Sequence, residues 1–237
     1  MAISELQLPN TVTVHELADP ATLASEQARD VAQRVRQAIA AKGQATVVLS
    51  GGRSPVPFLE ALSQETLDWS KVVVSLADER WVPTEHADSN AGLLKRHLLT
   101  GEAAKARFLG LYRASATLEA AAEDADHALA ELPPIDVLVL GMGDDGHTAS
   151  LFPNSPNIDA GLAPGVSRRC LPMLAPSVPH QRLSMTRSLL ASAAFTLLSV
   201  QGPGKLETLR AALAGDDLAE MPIRAFLQDP LDLYWCP

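Results

Sequence analysis

The chain is poor in aromatic residues, at 4%, and has no basic excess: 19 Lys and Arg stand against 28 Asp and Glu, a formal net charge of −9 at pH 7. Both scarcities argue against nucleic-acid binding, which uses clustered cations for phosphates and aromatic platforms for bases. Cysteine is scarce as well. Cys170 and Cys236 stand alone without C-x-x-C spacing, so neither a disulfide framework nor a zinc site is indicated, and a reducing compartment fits. Long apolar runs are missing too. The run 195–200 falls far short of the ~20 residues that span a bilayer, and the stretch from Met1 to Leu6 has neither a basic region nor an extended apolar core. The expectation is a cytoplasmic protein without membrane contact. What is present, 237 residues with 47% hydrophobic content, suffices for a sizeable core, and with no repeat or linker the whole chain, 1–237, reads as one domain.

Strand and helix signals alternate along it. Segments 11–15, 45–49, 71–76, 135–140, 171–174, 182–185, 195–200 and 231–235 have the apolar, β-branched character of strands. Helical spacing covers 21–41, a short stretch after Pro55, 89–99 and 117–131 with Ser89 and Thr117 as caps, then 204–214 and 222–227. This alternation predicts an α/β fold, doubly wound around a mostly parallel, Rossmann-like sheet. The proline- and glycine-rich stretch 154–180 is expected to form an irregular loop over the site.

The strand 135–140 runs directly into Gly141-Met142-Gly143-Asp144-Asp145-Gly146-His147. Ligands of open α/β sheets bind beyond the carboxyl ends of such strands, so His147 sits where chemistry is expected. Gly141, Gly143 and Gly146 also spell G-x-G-x-x-G, the pattern of a dinucleotide site. That reading fails on charge. Asp144 and Asp145 would repel a pyrophosphate, and about twenty residues on, where the ribose-binding acid is sought, the chain reads Gly165-Val166-Ser167-Arg168.

Four strand-end motifs stand in order: Ser50-Gly51-Gly52-Arg53-Ser54-Pro55, Asp78-Glu79-Arg80-Trp81-Val82-Pro83, the 141–153 turn closing on Ser150-Leu151-Phe152-Pro153, and Arg182-Leu183-Ser184-Met185-Thr186. Together they resemble the 6-phosphogluconolactonase family over nearly the whole chain. The resemblance implies hydrolysis of 6-phospho-D-glucono-1,5-lactone in the oxidative pentose phosphate pathway, without metal or other cofactor, on the fold of the sugar-phosphate isomerases and glucosamine-6-phosphate deaminases. Asp144 departs from it, standing where many members have proline.

Water attack on a lactone carbonyl needs a base near neutral pKa and an acid for the departing ring oxygen. An imidazole, with an ordinary pKa of about 6.5, can serve as both, which gives His147 the catalytic role. Asp145 would fix its tautomer and stabilise the imidazolium; its plainer alternative is to cap a following helix. For the substrate phosphate, a helix N-terminus after Gly51 and Gly52 would offer free N–H groups, with Ser54 adding a hydroxyl. Arg182 and Lys205, at the starts of a strand and a helix, match the family's phosphate-binding positions; otherwise they are solvated surface cations. Asp78 and Arg80 either face the sugar ring or simply pair with each other. Trp81 reads as packing, Met142 and Met185 as core or site wall, and His15, His86, His97, His127 and His180 as bystanders without metal-ligand spacing.

Two rivals share these motifs. In the deaminases the corresponding histidine is followed five residues later by a glutamate in Asn-Glu-Pro, whereas here that position is Phe152, which cannot move a proton. A sugar-phosphate sensor without turnover would have no use for the Asp145 and His147 pair. The sequence sets no oligomeric state, and a monomer is compatible with it.

Overall fold

The computed structural model describes residues 3–237. Ten strands occur among them: β1 (Val12–Glu16), β2 (Ala45–Leu49), β3 (Val72–Leu76), β4 (Asp78–Arg80), β5 (Arg107–Leu109), β6 (Val137–Leu140), β7 (Cys170–Leu174), β8 (Gln181–Met185), β9 (Phe195–Gln201) and β10 (Leu231–Cys236). The helices are α1 (Pro20–Lys42), α2 (Val56–Ser63), α3 (Asn90–His97), α4 (Leu118–Leu129), α5 (Ile158–Leu162), α6 (Arg187–Leu190), α7 (Pro203–Leu213) and α8 (Arg224–Leu227). Seven strands form one parallel sheet in the order β1-β10-β9-β6-β2-β3-β5, covered by helices on both faces. β2 and β6 are buried along their whole length, as strands covered on both faces must be, and this explains their unbroken apolar sequences.

The helices begin and end where local chemistry sets them. α1 starts one turn residue earlier than its alanine-rich pattern suggests, because Asp19 caps it by accepting the Thr22 N–H at 2.8 Å, and it stops at Gly43, whose φ of 82° lets its N–H reach the Ile39 carbonyl. Its buried stripe, with Leu23, Val31 and Val35, lies in the core, while Gln27 on the same stripe donates to Ser199 of β9 at 2.7 Å. Ser89 and Thr117 cap α3 and α4 as expected.

Three strands form a second, antiparallel sheet, β4-β8-β7, which the sequence reading did not anticipate. β7 and β8 are separated by only six residues, 175–180, too few for the crossover that parallel strands need. β4 is the continuation of β3 beyond Ala77, where the chain leaves the main sheet; the Met185 N–H donates to the Ala77 carbonyl at 2.8 Å and fastens the two sheets there. The stretch 154–180 is therefore not an irregular loop over the site: it contains α5 and β7, and its 177–179 tip borders a cleft beside Arg80 and Arg182. No helix among the described residues is long and apolar enough to cross a membrane.

Candidate active site

β2 and β6 are neighbours in mid-sheet, and the chain departs from them in opposite directions, from β2 toward β3 and from β6 toward β9. Such a reversal opens a crevice beyond the carboxyl ends of the strands. Here it is a cleft of about 240 Å³, and Gly51, Gly52, Ser54, Asp78, Arg80, His147, Arg182 and Lys205 all line it. Asp145 stands just behind His147.

The turn that carries the histidine explains its glycines. The Gly143 N–H donates to the His147 carbonyl at 2.9 Å and the Gly146 N–H to the Gly143 carbonyl at 3.1 Å, with Gly146 at a φ of 77° that disfavours side chains. Gly143 is required for a different reason: a Cβ there would lie 2.1 Å from both Cε1 and Nδ1 of His147. The imidazole rests on bare backbone. The G-x-G-x-x-G spacing thus builds a seat for a histidine ring rather than a pyrophosphate cradle.

Asp145 Oδ1 lies 2.5 Å from His147 Nδ1 and accepts the His147 backbone N–H at 3.0 Å. No helix follows at 147–153, so the capping alternative is not realised. Partial burial pushes the Asp145 carboxyl up, but the hydrogen bonds from the His147 ring and backbone outweigh it and hold the group below its usual value. With Nδ1 engaged, Nε2 is the ring nitrogen left for a ligand. Phe152, 4% exposed, packs on the imidazole with ring centroids 4.3 Å apart, and the Arg182 guanidinium sits 5.4 Å above the same phenyl ring.

Asp78 and Arg80 do not pair. Ser150 donates to Asp78 Oδ2 at 2.5 Å, whereas Arg80 Nη1 donates to the Asp88 carbonyl at 2.9 Å and to Asn90 Oδ1 at 2.8 Å. Between them Glu79 is fully buried and accepts the N–H groups of Arg80, Asn90 and Ala91 at 2.7–2.8 Å, fixing the start of α3. Burial pushes its carboxyl up against those bonds. Asn90, which sequence reasoning missed, is the hinge of this corner: it also donates to the Asp78 carbonyl, and it fills the space above Gly51, where a Cβ would meet its Oδ1 at 2.0 Å. Gly51→Ala must therefore push Asn90 away from Arg80. The expected cost is about 1–3 kcal/mol, as for other overpacking, read as a lower Tm.

The anion-binding groups after β2 also differ from expectation. α2 begins only at Val56, with Pro55 at its N-cap and Pro57 in its first turn, so it brings few free N–H groups to the cleft. The 51–54 loop supplies them instead: within the described residues the N–H groups of Gly51, Gly52, Arg53 and Ser54 have no acceptor. Across the cleft, Arg182 is 6% exposed and tethered through Nε to the Pro179 carbonyl at 2.8 Å, which excludes the surface-cation alternative for it. Burial pulls its guanidinium down, and neighbouring Asp78 pulls it back up. Lys205 Nζ lies 2.5 Å from Asp144 Oδ1.

The bystander residues lie elsewhere. His15 pairs with Asp232 and His97 with Glu60, and Trp81 packs on the core with its indole N–H on the Arg113 carbonyl. Both Met142 and Met185 are buried, Met142 at the cleft wall. Burial pushes the Cys170 thiol up to about 12, so it is no nucleophile at neutral pH. Among the described residues no three His, Cys, Asp or Glu side chains converge as metal ligands would; Asp144 and Asp145 turn to different partners.

Residues 18–235 match the family model described as glucosamine-6-phosphate isomerases/6-phosphogluconolactonase. The chain belongs to this family. Within it the similarity is to 6-phosphogluconolactonases: the chain is 78% identical to one from Pseudomonas putida, over all of this chain and 98% of that one, and 64% identical to one from Pseudomonas aeruginosa over the full length of both. A crystal structure of a 6-phosphogluconolactonase from Shewanella baltica superposes with a TM-score of 0.93 at 36% identity, covering 97% of this chain and 100% of that one. A monomeric glucosamine-6-phosphate deaminase shares the fold, with a TM-score of 0.79 at 19% identity over 94% of this chain and 97% of that one.

Proposed function

We propose that this chain is a lactone hydrolase that opens 6-phospho-D-glucono-1,5-lactone to 6-phospho-D-gluconate, as the second step of the oxidative pentose phosphate pathway, with His147 as the proton carrier. One observation carries the mechanism: an imidazole seated on Gly143, held at Nδ1 by Asp145, and facing a cleft whose other walls carry Arg182, Lys205 and four free N–H groups. Nε2 takes a proton from water as it attacks the lactone carbonyl, and returns it to the ring oxygen as the C–O bond breaks. Asp145 is the positioning residue that orients the ring and steadies the imidazolium. The phosphate is held by Arg182, Lys205, Ser54 and the 51–54 backbone, while Asp78 and Arg80 face the sugar.

Phe152 supports the lactonase over the deaminase. It packs on His147 at the position where a deaminase carries its ring-opening glutamate, and a phenyl ring moves no proton. A lactone needs none. The test is a pair of assays on one preparation: lactone disappearance faster than its spontaneous hydrolysis is expected, with no ammonia released from glucosamine 6-phosphate. Ammonia release without lactone turnover would reverse the assignment.

Removal of the cations should act on binding. Arg182→Ala and Lys205→Ala are each expected to raise KM for the phosphorylated lactone by about tenfold or more, the effect of losing a charge-assisted contact worth ~1.5–3 kcal/mol. Steady-state kinetics checks this. A normal KM with depressed kcat in both variants would move these residues from the phosphate to the reacting carbon.

A further inference from the structure

Among the described residues, Lys205 is the one Lys or Arg lining the cleft that already has a carboxylate partner. Its ammonium, 23% exposed, lies 2.5 Å from Asp144, whose own side chain is 90% exposed and does not line the cleft. Asp144 belongs to the turn that seats His147, between Gly143 and Asp145, and Thr208 on the second turn of α7 lies with its hydroxyl 3.4 Å from the Asp144 carbonyl. The catalytic turn and the start of α7 are thus joined at two points, one of them an ion pair on the rim of the site.

We propose that Asp144 is an affinity-setting residue that competes with the substrate phosphate for Lys205. The inference deepens the phosphate reading of the cleft and rests on it. In the free protein Asp144 neutralises Lys205. An arriving phosphate dianion must take the ammonium over, and it then lies near an exposed carboxylate that repels it. After ring opening the same carboxylate reclaims Lys205 and helps expel a product that carries both its phosphate and a new carboxylate. Because Asp144 is exposed, the competition is weak in absolute size, set by the modest worth of surface ion pairs and screened by salt. No packed side chain depends on it, so the carboxylate can be removed without disturbing the core.

The test is calorimetric titration of 6-phosphogluconate into the full chain and its Asp144→Asn, Lys205→Ala and doubly substituted forms at low ionic strength, with gluconate as the phosphate-free probe. Asp144→Asn is expected to bind 6-phosphogluconate about fivefold more tightly, the upper range for an exposed pair, and the gain should shrink with added salt. Asp144→Ala, which also removes hydrogen bonding to Lys205, should move the same way. In the Lys205→Ala background the gain should vanish, and gluconate binding should not respond to Asp144. Weaker or unchanged binding in both Asp144 variants, with Lys205→Ala still impaired, overturns the competition and leaves the phosphate reading standing. Lys205→Ala binding as tightly as the unsubstituted chain overturns both.

Discussion

Replacement of His147 by alanine or glutamine is expected to lower lactonase kcat by about 10²–10⁴, the usual worth of general acid–base catalysis, with little change in the affinity for 6-phosphogluconate. The basis is structural. His147 is the histidine that lines the cleft, and its Nδ1 is committed to Asp145, so the face turned to substrate carries a single titratable nitrogen. Asp145→Asn spares the proton carrier and disturbs only its tautomer and its imidazolium. The loss is accordingly smaller, and it falls on kcat rather than on the affinity for 6-phosphogluconate.

The second large effect is expected at a residue that has no side chain. Gly143→Ala places a methyl 2.1 Å from two atoms of the His147 ring and 2.7 Å from Asp145 Oδ1, positions no side-chain contact can hold. The imidazole has to leave its seat, and a displacement of about 1 Å at a reacting group can cost on the order of 10² in rate. Affinity for 6-phosphogluconate should change less than kcat, since the groups proposed to hold the phosphate, Arg182, Lys205 and the 51–54 loop, are other residues of the cleft lining. Near-normal kcat in Gly143→Ala would show that the ring position drawn from the structure is not the one used in catalysis.

Much of this was readable from residues alone, for identifiable reasons. β2 and β6 are buried on both faces, so their apolar runs stand out, and the residues just after them are the ones a parallel sheet must bring to its ligand edge. The seat under His147 was half-legible: the glycines marked a tight turn, but only the placed ring shows that Gly143 serves contact and Gly146 serves conformation. β4 was opaque because Asp78-Glu79-Arg80 is a charged triplet with no strand character; it is a strand through pairing with β8, and Glu79 is buried because α3 needs an acceptor for its first N–H groups. Asn90 was invisible for the same kind of reason, since nothing local reveals that its amide spans from Arg80 to the Asp78 backbone above Gly51. Ala149, at a φ of 50° in the cleft wall, adopts a backbone conformation that a plain alanine gives no sign of. Long-range pairing decides such residues, and sequence spacing does not encode it.

The most direct test of the central claim follows freshly prepared 6-phosphogluconolactone by phosphorus NMR with the unsubstituted chain, with His147→Gln, and with buffer alone. The account predicts rapid conversion to 6-phosphogluconate with the unsubstituted chain, and a rate within a small factor of buffer for His147→Gln, which still binds the product. Conversion by His147→Gln at more than half the unsubstituted rate, or no acceleration over buffer by the unsubstituted chain, would contradict it.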